Sequence, residues 1–198
     1  MNRSKPMQTQ PITLSSSLIR LEPIDFSHCD DLVEALDDRT FHYMPMRSSV
    51  RTKSEVRRYI EFQQRRTDTI AYAVIDQSTG RAIGSTSYMN IRAEHYGLEI
   101  GSTWITASAR GTKINPSMKY LMLKHAFEEL GAIRVELKTD ARNVQSRAAI
   151  LKLGAVFEGL TRNHLIMPDG HYRDSAVYSI IPDQWESVST QLLERINA

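Results

Sequence analysis

"ARGTKINPSMKYLMLKHAFEEL", residues 109–130, begins as a loop and ends as a helix. Asn115-Pro116 reads as the helix start, with Asn115 as N-cap, Pro116 in the first helical position and Gly131 just past the end. Met118, Leu121 and Met122 fall on one side, and Tyr120, Leu123, Phe127 and Leu130 on another. A helix that is apolar on two sides is buried rather than resting on a surface. Ahead of it stand Arg110, Gly111 and Lys113. A helix start leaves backbone N–H groups unpaired at the positive end of the helix dipole, and glycine lets backbone approach a ligand closely. Two added cations make an anion site, of which phosphate is the usual occupant. The same residues equally fit a capped connection with solvated charges.

Outward from this helix the period changes. Upstream, residues 70–76, 82–91 and 96–105 read as three successive strands, with the turn "QSTGR" after the first. Downstream, 133–140 alternates as a strand, and 143–154 is a short helix capped by Asn143 and stopped by Gly154. Residues 155–167 and 171–181 form a hairpin about Pro168-Asp169-Gly170, and 182–196 is a closing helix with Pro182 at its start. A helix lying between two strands makes a crossover unit with parallel strands. The first part of the chain supplies a strand at 18–24, a helix at 27–38, and a helix at 52–66 opened by the capping box Thr52-x-x-Glu55. Residues 1–12 read as a loose tail and 13–198 as one domain. The sum is a mixed-sheet α/β or α+β domain without internal repeats.

Composition narrows the function classes. At 198 residues, 41% hydrophobic and 24% charged, the chain matches an ordinary globular protein of one domain. No apolar run approaches the roughly 18 residues of a membrane span, and the N-terminus has no signal-peptide core, so the expected location is cytoplasmic and off the membrane. The one cysteine, Cys29, excludes an internal disulfide and a multi-cysteine metal site, and reads as a core thiol. A net charge of +2 allows an anionic ligand without demanding nucleic acid. "RRYIEFQQRR" accordingly reads as a solvated helix face, and His164 and His171 have no third partner for a metal. The loop is neither the G-x-x-x-x-G-K-S/T of a Walker site nor the G-x-G-x-x-G of a dinucleotide fold, so nucleotide hydrolysis and hydride transfer both lose ground.

"EIGSTWITASARGTKINPSMKYLMLKHAFEELGAIRVELKTDARNVQSRAAILKLGAVFEG" resembles the GCN5-related N-acetyltransferases, in the ribosomal-protein alanine acetyltransferase-like (RimJ/RimL) branch. The resemblance runs from about Ile19 to Trp185 and is densest over 98–160. It implies a mixed central sheet of about six or seven strands, splayed at the cofactor site and flanked by about four helices. It implies acetyl-CoA as cosubstrate, no metal, and a homodimer as a common assembly. The family's loop runs Gln or Arg, two residues, Gly, one residue, then Gly or Ala, and its amides hold the pyrophosphate. Here Arg110, Gly111, Thr112, Lys113, Ile114 and Asn115 occupy it, with Lys113 and Asn115 at the two glycine-type positions. Trp104, Ile105 and Thr106 would offer main chain to the pantetheine amides, and Asn143 and Arg147 would lie beside its arm.

The resemblance makes Glu99 the base that frees the acceptor amine, directly or through water. A strand glutamate facing solvent or pairing with an arginine is the alternative. The family's usual tyrosine acid falls at Ile150, which leaves Ser146 to donate to the thiolate unless it bonds its own helix. Asp174 and Tyr178 line the acceptor pocket or support the sheet. With no cysteine near the loop, direct acetyl transfer to a primary amine is implied, at a protein N-terminus or on a small molecule. A non-catalytic acyl-CoA-binding or regulatory module is the other function these residues allow.

Overall fold

Alternating strand residues need two different covers, and the two faces of the sheet receive them. The computed structural model describes residues 6–45 and 52–198. In chain order the elements are β1 (Leu14–Ser15), β2 (Ile19–Pro23), α1 (Cys29–Ala35), α2 (Lys53–Arg65), β3 (Ile70–Asp76), β4 (Ala82–Arg92) and β5 (Gly97–Ile105). Then come α3 (Ile114–Lys124), β6 (Arg134–Asp140), α4 (Val144–Leu151), β7 (Val156–Ile166), β8 (Tyr172–Ile180) and α5 (Pro182–Asn197). The eight strands form one sheet in the order β1-β2-β3-β4-β5-β6-β8-β7, antiparallel throughout except for β5 beside β6.

Tyr72, Val74, Tyr88, Leu98, Ile100, Val135, Leu137, Ala176 and Tyr178 pack on the face that holds Met118, Met122 and Leu123 of α3, Ile150 of α4 and Leu192 of α5. Ala71, Ala73, Ile75 and Trp104 pack on the other face, against Leu32 of α1 and Val56, Tyr59 and Ile60 of α2. Those two helices cover only the β3–β4 half, where α1 meets β4 and α2 meets β3. Glu136, Lys138 and Asp140 of β6, and Arg173, Ser175 and Ser179 of β8, alternate with the core residues and so occupy the half that no helix among the described residues covers.

Several expectations shift. The crossover helix starts two residues earlier than expected, at Ile114, so Asn115 lies within it and Lys113 is the cap. Thr112 is the reason: its hydroxyl accepts from the Ile114 N–H (3.3 Å) and donates to the Ala109 carbonyl (2.7 Å). The helix also widens at His125–Glu129, where Leu130 N–H reaches the His125 carbonyl. There the buried Tyr88 hydroxyl donates to the Met122 carbonyl at 2.5 Å, which takes up an acceptor of the regular ladder. The helix expected over 27–38 is shorter, a tight turn at Phe26–His28 followed by α1. Residues 1–5 of the expected tail lie outside the described residues, and residues 6–13 form no helix or strand. Met7 is buried and its N–H donates to the Ala93 carbonyl (3.0 Å), while Leu14–Ser15 adds a strand too short to show a period.

Candidate active site

β5 and β6 run in parallel register for three pairs, Gly97 with Arg134, Leu98 with Val135 and Glu99 with Glu136, and for no longer. Beyond Glu99 the strands form a fork. Its far arm is bent: Ser85 pairs with Trp104 but Ser87 with Gly101, so β5 carries one residue more than β4, and Ser102 takes φ +49°. This bulge increases twist and turns β5 away from its parallel neighbour. Gly84 allows it, because a side chain there would run into the Trp104 carbonyl. Trp104 points to the α1–α2 side and meets Phe41 edge-on at 5.8 Å, while Thr106 gives its N–H to Ile83 O (2.8 Å).

The loop after β5 closes the open end of the fork. Arg110 is tied inward, with Nη2 2.7 Å from Asp37 and Nε donating to the Ile105 carbonyl (3.2 Å). It braces the loop against the chain leaving α1. Gly111 has φ +76° with open space where a side chain would stand, and Lys113 is exposed with no partner among the described residues. The amides of Gly111, Thr112, Lys113 and Asn115 donate to no group among the described residues. Four open donors, a positive helix end and one free ammonium make a cradle for an anion.

On the other arm, Asn143 caps α4 by accepting from the Ser146 N–H at 2.9 Å. The Ser146 hydroxyl itself makes no hydrogen bond among the described residues. Arg147 is held within the fold, donating to Tyr178 Oη (3.1 Å) and the Ala141 carbonyl (3.3 Å) and lying over Phe157. Ile150 is buried in the core.

Glu99 sits at the crotch of the fork, 5% exposed. Its Oε2 accepts from Asn90 Nδ2 (2.7 Å) and Lys138 Nζ (3.0 Å), and Lys138 also reaches Glu136 at 2.9 Å. Burial opposes the Glu136 charge, but Lys138, Arg134 and Arg92 outweigh it and bring its pKa down to about 2. Burial likewise opposes the Lys138 charge, and the two carboxylates overcome it and raise the pKa of that ammonium. Glu99 is thus neither solvent-facing nor paired to an arginine: it holds a lysine, which the sequence did not single out. Alternation along β6 was the available signal, since Glu136, Lys138 and Asp140 share a face. Next to them Arg173 is buried, with Nη1 donating to the Tyr43 carbonyl (3.1 Å) and Nε unpartnered among the described residues. Tyr178 is wholly buried and supports the sheet, and Asp174 accepts from the Asn163 N–H (2.7 Å).

On the α3 side, Lys119 is buried with one partner, the Thr103 hydroxyl at 3.0 Å, and burial brings its pKa down to about 7.

A family model described as an acetyltransferase (GNAT) domain matches residues 19–156. A Bacillus subtilis (strain 168) protein provisionally named ribosomal N-acetyltransferase YdaF is 31% identical over 107 residues; the match covers 54% of this chain and 57% of that protein, little more than half its length. A crystal structure from T. thermophilus, provisionally named an acetyltransferase, is 31% identical with TM-score 0.88, covering 96% of this chain and 100% of that one. Mycobacterium smegmatis RimJ, solved in complex with CoA-disulfide, shares the fold at TM-score 0.78 and 19% identity, covering 93% and 94% of the two chains.

Proposed function

The chain belongs to the GNAT acetyltransferase family and is an N-acetyltransferase, and from that premise we propose that it moves the acetyl group of acetyl-CoA directly onto a primary amine at the fork between β5 and β6. The observation that carries this reading is the fork together with the open amides at its mouth. Strand edges released from pairing offer N–H and C=O groups that suit the two amides of a pantetheine arm. The cradle at Gly111–Asn115 suits the diphosphate, with Lys113 as its ammonium. Trp104 and Ile105 contribute main chain on one arm of the fork and Asn143 shapes the other, while Arg110 and Arg147 brace the walls.

The thioester carbon then lies near the crotch, with Glu99 on the acceptor side. Glu99 Oε2 is engaged, and Oε1 remains to receive an N–H of an incoming ammonium. An α-amino group has a pKa near 8 and is partly neutral at pH 7, so it needs little help, whereas a lysine near 10.4 needs more. The neutral amine attacks the thioester carbon, the C–N bond forms, the C–S bond breaks, and the sulfur leaves with the electron pair. Ser146 Oγ is the donor that meets the thiolate, whose pKa near 8.5 asks for only modest stabilisation. The acceptor is the α-amino group of a protein N-terminus or a small amine, and the YdaF name makes a ribosomal-protein N-terminus the first to try.

Release of free thiol from acetyl-CoA, scored against a panel of N-terminal peptides and small amines, tests the proposal. Thiol release matched one-to-one by acetylated amine is expected with at least one acceptor. Acetyl-CoA left intact by every amine would contradict it.

A further inference from the structure

β7 and β8 pair regularly except at one place. Thr161 lies opposite Ser175 and Leu165 opposite Arg173, so four steps along β7 match two along β8. Arg162, Asn163 and His164 stand opposite Asp174 alone and leave the ladder as a bulge. Asn163 takes φ +47° there, and its N–H is caught by Asp174 Oδ1 at 2.7 Å. Bulges of this kind re-aim a side chain, and this one turns the His164 ring over β8, with Nδ1 2.9 Å from the Ser175 hydroxyl. Ser175 faces the side of the sheet that carries Arg173, and it pairs with Asp140 of β6, two residues beyond Lys138. One strand spacing and a two-residue step place the Ser175 and Lys138 backbones roughly 8 Å apart. The imidazole therefore stands on the same uncovered face as the Glu99–Lys138 pair.

We propose that His164 is the base that takes the proton from the acceptor ammonium, directly or through one water, with Glu99 holding that ammonium in place. The role rests on the acetyl-transfer reading above. Three features of the site support it. First, His164 is exposed, and its Nε2 has no partner among the described residues, so an approaching donor can reach it. Second, the contact of Nδ1 with Ser175 Oγ leaves Nε2 for the acceptor, and in the tautomer whose Nδ1–H donates to that hydroxyl the lone pair lies on Nε2. Third, the surroundings keep the ring neutral. Partial burial, then Lys138 on β6 and Arg173 on β8, disfavour a second proton, and Glu99 on β5 opposes them less strongly, leaving the pKa below the usual 6.5. Glu99 keeps Oε2 on Lys138 and Asn90 and has Oε1 left to hold the ammonium.

The proton balance is simple. His164 Nε2 takes one proton from R–NH3+ and later releases it to water. The neutral amine attacks, and the adduct's second surplus proton ends on the departing sulfur. The products are R–NH–CO–CH3, free CoA thiol and one proton in solution.

The test compares wild type, His164→Gln and His164→Ala, with His171→Gln as a control on the exposed far side of the hairpin turn. The acceptor is an alanyl tripeptide amide, with spermidine as a second amine, and acetyl-CoA affinity is measured by calorimetry for every protein. For the wild type, kcat/KM should fall as pH drops through an ionisation below 6.5. His164→Gln should lose that ionisation and about 10²–10⁴-fold of activity at pH 7, with the loss shrinking as pH rises toward the amine's own pKa. Added imidazole should restore part of the rate to His164→Ala, and acetyl-CoA affinity should stay unchanged in both variants. A wild-type-like pH profile in His164→Gln, with the tripeptide turning over, overturns the role of His164 alone. A pH-independent loss that imidazole does not relieve also overturns it. Wild-type protein inert toward both amines overturns the acetyl-transfer reading and this role with it.

Discussion

Lys113 and Arg110 stand three residues apart in one loop and do different things. The Lys113 ammonium is exposed and unpaired among the described residues, so its substitution should act on the ligand. Lys113→Glu should weaken acetyl-CoA binding by about 1–3 kcal/mol, the scale of a charge-assisted hydrogen bond, and the deficit should narrow as salt is added. Calorimetry at two ionic strengths reads both effects, and unchanged affinity at low salt would remove Lys113 from the site. Arg110 instead spans Asp37 and the Ile105 carbonyl, so Arg110→Ala should loosen the loop and lower the unfolding midpoint as well as the affinity. At Glu99 the expectation follows from its partners. If it fixes an ammonium without taking its proton, Glu99→Gln should lower kcat/KM by about 10–100-fold at every pH, the worth of one hydrogen bond to a charge. A loss that disappears at high pH would return the role of base to Glu99.

At the scale of elements, α3 and α4 illustrate what the sequence could and could not tell. Apolar spacing and Gly131 located α3 because periodicity reports burial directly. The start was misplaced by two residues because Asn115-Pro116 is a good cap signal, and nothing in the sequence shows that Thr112 already bonds Ala109 and Ile114. The widened turn at His125–Glu129 was unreadable because its cause, Tyr88, is 34 residues from Met122. Asn143 was legible as the cap of α4 because a cap is local, and Asn143→Ala should cost about 1 kcal/mol, measurable by urea unfolding. The fork itself lies between strands whose alternation says nothing of where pairing stops. Lys119 makes the strongest prediction at this scale. Burial holds its amine at a pKa of about 7 against the usual 10.5. Across that window the unfolded chain binds a proton that the folded chain does not, so stability rises with pH, by up to about 1.4 kcal/mol per unit. Lys119→Met should flatten this slope and stabilise the fold at pH 7 and below. Equal unfolding midpoints for both proteins at pH 6, 7 and 9 would contradict it.

Across the whole molecule the sheet divides labour between its faces. α3, α4 and α5 pack on one face, while α1 and α2 cover half of the other and leave β6 and β8 to carry charge. The fork opens at the line between these regions, so in the proposed reading a ligand entering from the α3 N-terminus meets an acceptor resting on Glu99. The most direct test is to map where CoA sits, by following backbone amide signals of the protein as CoA is added. The largest shifts should fall at Gly111–Asn115, along the 100–105 and 137–140 arms of the fork, and at Asn143–Ser146, with β1 to β3 unmoved. Saturable shifts confined to α1, α2 or the β7–β8 edge, with the 111–115 amides silent, would contradict the account.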